Sequence, residues 1–205
     1  MTGRASLTAI VLAIGIALLP QRAAAQQTVY AAGQPGVVGG FATLPVQVTA
    51  SVGGHCGFAT GSAPSGTYSQ PDFDVNGLNH DFAFVLDCTG PSRVAVVSAN
   101  GGLLTGGAVP TGYTTIAPYD VTLNLVGSTA TATGSCAVAT LTASAGAPCA
   151  FRGPVSASQG LLLNSTSVSQ PGTYLRVSAP AYSGTNALVG GTYSDTLTVT
   201  VSAAS

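Results

Sequence analysis

Apolar and polar residues alternate with a period of two along much of the chain. The pattern is cleanest near the C-terminus: Tyr193, Asp195, Leu197, Val199 and Val201 fall on one face, and Thr196, Thr198 and Thr200 on the other. A strand sends successive side chains to opposite faces, so this spacing predicts a half-buried strand, and its β-branched residues suit a pleated surface. The same reading predicts a strand over 44–52, with Leu44, Val46, Val48, Ala50 and Val52 turned inward. Further strands are predicted over Asp81–Cys88, Arg93–Ala99, Tyr119–Val126 and Thr173–Ala179. Thr89-Gly90-Pro91-Ser92 is turn chemistry, which predicts that the first two of these form a hairpin. Glycine pairs at 101–102, 106–107 and 190–191 punctuate the gaps, and helical spacing is confined to the first 25 residues. The expected fold class is an all-β antiparallel sandwich.

Composition narrows the function. Only 5% of the 205 residues are charged, and every base is Arg and every acid Asp. A nucleic-acid partner needs a basic stripe, which this chain lacks. Without Lys there is no Schiff base, P-loop lysine or isopeptide crosslink. A hydrophobic fraction of 46% gives the chain ample surface to bury, which excludes a disordered protein.

Met1–Ala25 reads as a secretory leader. Arg4 precedes the apolar run Leu7–Leu19, Pro20 ends it, and Ala23-Ala24-Ala25 supplies small residues for cleavage. The run is too short for the ~20 residues of a spanning helix. Removal of residues 1–25 leaves 180 residues with three arginines against six aspartates, a net charge of −3 and no membrane span. The expected organisation is a leader over 1–25, an N-terminal extension over 26–43 and a sandwich domain over 44–205. The extension carries Val29, Tyr30, Val37, Val38 and Phe41 and few polar side chains. A hydrophobic exported tail of this kind needs a partner.

Export predicts disulfides among Cys56, Cys88, Cys136 and Cys149, for which three pairings are open. The spacings hold no Cys-x-x-Cys, which argues against zinc. Asp72-Phe73-Asp74-Val75-Asn76-Gly77 matches the opening of a calcium loop, yet the twelfth position is Ala83 rather than an acid. His55 and His80 stand outside any nucleophile motif, and no G-x-S-x-G occurs. No catalytic residue, cofactor or metal is expected, and the chain reads as a non-enzyme.

Three segments, VQVTASVGGHC, FVLDCTGPSRVAVVSANGG and GTYSDTLTVTVSA, together resemble the spore coat protein U domain shared with the major pilins of archaic chaperone–usher pili. The likeness spans about residues 44–203. It implies an immunoglobulin-like sandwich lacking one strand, filled first by a periplasmic chaperone. At an outer-membrane usher, the N-terminal extension of the next subunit then takes the chaperone's place. It implies a head-to-tail fimbria at the cell surface, serving attachment and biofilm, and a disulfide between Cys56 and Cys88. On this reading Val29, Val37, Val38 and Phe41 are the donor side chains, and Leu197, Val199 and Val201 face the groove. The segments Gly101–Thr115 and Thr129–Val155 exceed a minimal pilin and read as surface decoration or the mark of a minor subunit. The alternative reading is a self-complete, adhesin-like binding module.

Overall fold

A computed structural model of the chain describes residues 47, 49–50, 54–145 and 148–204. All of its named elements lie in the unit Ser51–Ser205. In chain order they are β1 (Cys56–Phe58), the single helical turn α1 (Phe73–Asn76), β2 (Leu78–Phe84), β3 (Leu86–Cys88), β4 (Ser92–Ser98), β5 (Leu103–Leu104), β6 (Tyr113–Thr114) and β7 (Ile116–Ala117). There follow β8 (Asp120–Val126), β9 (Thr131–Ala137), a 3-10 turn over Val138–Leu141, β10 (Leu161–Leu163), β11 (Thr173–Ala179), β12 (Ala187–Leu188) and β13 (Leu197–Ala203).

The fold is all-β and sandwich-like. One sheet has the order β2-β11-β8-β9 and the other β10-β4-β13, both antiparallel throughout. Their inner faces meet in one apolar core, to which Phe84 and Val121 contribute from one sheet and Val94 and Leu163 from the other. The alternation in β8 shows why these residues form strands. Val121, Leu123 and Leu125 are completely buried, while Thr122 and Asn124 face outward and hydrogen-bond Ser135 and Thr133 of β9. Each such buried aliphatic side chain contributes ~1.5–3 kcal/mol.

The predicted hairpin does not form. β2 and β3 are two parts of one run interrupted at Val85; β2 pairs with β11, and β3 with β1. β4 lies in the other sheet with both edges occupied, by β10 and β13, so no edge is left for its sequence neighbour. Thr89–Pro91 therefore carries the chain from one sheet to the other.

Segment 129–155 is structural rather than decorative. It supplies the edge strand β9, and three of its large apolar residues, Val138, Leu141 and Phe151, are at most 1% exposed. β9 lies against β10, which closes that side of the sandwich, and Cys136–Cys149 ties the end of β9 to the segment leading into Phe151. The strand predicted over 44–52 also differs. Gln47, Thr49 and Ala50 are exposed and outside any strand, and the other positions of 44–52 lie outside the described residues. The ladder begins only at Cys56, opposite Cys88.

Candidate strand-accepting groove

The two sheets end on the same side with β2 and β13. β13 pairs with β4 along one edge, and among the described residues its other edge has no hydrogen-bonded strand. Leu197, Val199 and Val201 lie opposite Ser98, Val96 and Val94 and so share their face. Val94 and Val96 are fully buried and Ser98 is 2% exposed, whereas Leu197, Val199 and Val201 are only half-buried. The core is thus sealed beneath β4 and open beneath β13. On the facing sheet, Leu78 and Phe82 of β2 are likewise half-buried, while Leu175, opposite Phe82, is 3% exposed.

Between these edges runs a groove of about 430 Å³. Leu78 and Phe82 of β2 and Leu175 and Val177 of β11 form one wall, Leu197 and Val199 of β13 the other, and Pro64–Tyr68 lies along its outside. β1 runs beside β13 without a ladder to it. It is held to β3 by the Cys56–Cys88 disulfide and to the core by an edge-on contact of Phe58 with Phe84, centroids 5.7 Å apart.

A polar node lines the same groove. The Asp195 carboxylate accepts from Ser98 Oγ at 2.6 Å, Tyr119 OH at 2.8 Å, the Thr196 amide at 2.7 Å and the Asn100 amide at 3.1 Å. Ser98 Oγ in turn accepts from the Gly101 amide at 2.7 Å. The node fixes the residues entering β13 to the end of β4 and, through Tyr119, to the start of β8 in the opposite sheet. Burial, and then the Asp195 carboxylate, push the Tyr119 phenol well above its ordinary range. Sequence reading placed Tyr193 and Asp195 within the terminal strand, yet the strand begins at Leu197 because Asp195 caps amides rather than extending the ladder. A lone carboxylate on an otherwise apolar face was the available signal.

Chemically, the groove offers apolar walls and, among the described residues, an unpaired strand edge, the two things an extended peptide with alternating apolar side chains can use. Leu197, Val199 and Val201 face this seam, with the first two lining the groove. Val29, Val37, Val38 and Phe41 lie outside the described residues. No family model, curated protein or solved structure matches the chain. The cysteines pair as Cys56–Cys88 and Cys136–Cys149. The Asp72–Gly77 segment forms α1 and its flanks, and no group of three or more His, Cys, Asp or Glu side chains able to hold a metal occurs among the described residues. Among those residues no helix is long and apolar enough to cross a membrane.

Proposed function

We propose that the chain is a structural subunit of an extracellular fimbria, an immunoglobulin-like sandwich lacking one strand and completed by donor-strand complementation. A periplasmic chaperone fills the groove in transit. At an outer-membrane usher, the extension 26–43 of the next subunit replaces it. The observation that carries this reading is the half-covered core face of β13 beside a bare edge, opposite a side sealed by β9 and β10.

The energetics support it. Completing the burial of Leu78, Phe82, Leu197, Val199 and Val201, each already half-buried, is worth ~4–7 kcal/mol before ordering costs. Main-chain hydrogen bonds along β13 add to that. The 18 residues of 26–43 reach ~60 Å when extended, more than the 7-residue β13 requires. A head-to-tail contact of this kind does not close on itself and builds a filament.

Deleting residues 26–43 while keeping the leader tests the assignment in cells that carry the assembly machinery. The expected product is a chaperone-bound monomer with no surface fibre. Fibres from the truncated chain would refute the donor role. An intact chain that stays monomeric without a chaperone and binds no peptide of residues 26–43 would favour the self-complete binding module.

A further inference from the structure

The groove does not end at Tyr68. A second cavity of about 500 Å³ lies on its far side, and both cavities are lined by Tyr68, Leu78 and Leu103. The segment that contains their shared Tyr68, 63–71, makes no backbone–backbone hydrogen bond among the described residues, although the residue before it does: Ser62 pairs with Ala59 and Val85. What fastens the segment is Tyr68. Its ring stacks flat on His80 of β2, centroids 4.2 Å apart with 7° between planes, and His80 meets Phe82 edge-on at 4.7 Å. The Tyr68 hydroxyl donates to Gln70 Oε1 within the same segment, so it does not bind the segment to the sheet. Gly61 and Gly66, at φ +72° and +132°, flank and interrupt the segment with backbone conformations that ordinary residues rarely adopt.

We propose that the two cavities are one strand-accepting channel divided by Tyr68, and that segment 63–71 is a strap across it, latched by the Tyr68–His80 stack. The inference rests on the proposed role of the groove and names its occupant as the extended segment 26–43 of a second copy. A strand running the length of the channel has to displace the Tyr68 ring, so the latch sets how fast the subunit is filled. One ring stack is a weak fastening, which suits a strap that must open without unfolding the sheets beneath it.

The test uses the exported chain, residues 26–205, with the variants Tyr68→Ala, Tyr68→Phe and His80→Ala. Amide exchange over 63–71 is measured in the monomer, and the association rate is measured for a synthetic peptide of residues 26–43. Tyr68→Ala and His80→Ala should both speed exchange in the strap and raise the association rate by roughly 3- to 10-fold, the scale of one lost aromatic contact. Tyr68→Phe keeps the stack and should match the unaltered chain in both. Unchanged strap exchange in Tyr68→Ala, or an equal response from Tyr68→Phe, overturns the latch. Faster exchange without peptide binding in any variant, the unaltered chain included, upholds the latch as a fastening and overturns the channel's occupant, which is also how failure of the groove reading would be recognised.

Discussion

Removing the Asp195 carboxylate should cost far more than its place at the mouth of a strand would imply. Asp195→Ala withdraws the acceptor from two hydroxyls and two amides. Two of those donors belong to closely packed residues, Ser98 at 2% exposure and Tyr119 at 6%. Hydrogen bonds to a charged acceptor contribute ~1.5–3 kcal/mol, and stranded buried donors add desolvation, so we expect a loss of roughly 3–5 kcal/mol. For a unit of this size that lowers Tm by roughly 6–20 °C. Tyr119→Phe should cost ~1–2 kcal/mol, and the double variant should lose clearly less than the sum, with a coupling of at least ~0.5 kcal/mol. Urea denaturation of the four chains measures all three quantities. The pH dependence gives a second arm. The phenol of Tyr119 is raised in the folded state, so its contribution is fully present below the unfolded value of ~10 and is lost as pH rises above it. The stability gap between the unaltered chain and Tyr119→Phe should therefore narrow above pH ~10, by up to ~1.4 kcal/mol per unit. Strict additivity together with a gap that stays constant into alkali would refute the node.

Phe151→Ala should destabilise by ~3–5 kcal/mol, because the ring is completely buried; a loss under ~1 kcal/mol by denaturant titration would return segment 129–155 to the surface. Gly77→Ala should be destabilising although it adds only a methyl group: φ is +69°, and a Cβ would sit 2.5 Å from the Ala179 carbonyl oxygen. A neutral or stabilising result in thermal melts would contradict that packing. Asp81 on β2 forms a two-bond pair with Arg176 on β11, at 2.6 and 2.7 Å, and the guanidinium lowers the carboxyl below its ordinary value. A lowered carboxyl contributes stability that is present above its unfolded value of ~3.9 and lost as pH falls below that, so the small deficit of Asp81→Asn should vanish in acid melts. A deficit that persists at pH ~2 would count against the pair.

The long strands were readable because each buries one face of a period-two pattern: Thr173–Ala179 is predicted and observed with the same limits, and Tyr119–Val126 with one residue's difference. What escaped were elements whose positions are set by partners far away in sequence. β9 is a run of small residues, TATGSCA, whose strand character comes from pairing with β8 rather than from its own propensity. The false hairpin arose because turn residues mark a reversal without saying whether the next strand joins the same sheet. Of the candidate site, Leu197, Val199 and Val201 were legible from alternation alone. The groove's outer wall was not, since 63–71 has no periodicity and its position depends on the Tyr68–His80 contact.

On the proposed reading, a second copy's extension completes the sheet at β13. Hydrogen exchange of the full exported chain, compared between monomer and assembled fibre, reads this directly. Donor-strand completion predicts that the outward-pointing alternate amides of Leu197–Ala203 become strongly protected on assembly, while β8, already central in its sheet, changes little. A fibre in which β13 exchanges as fast as it does in the monomer would rule out strand completion at this edge.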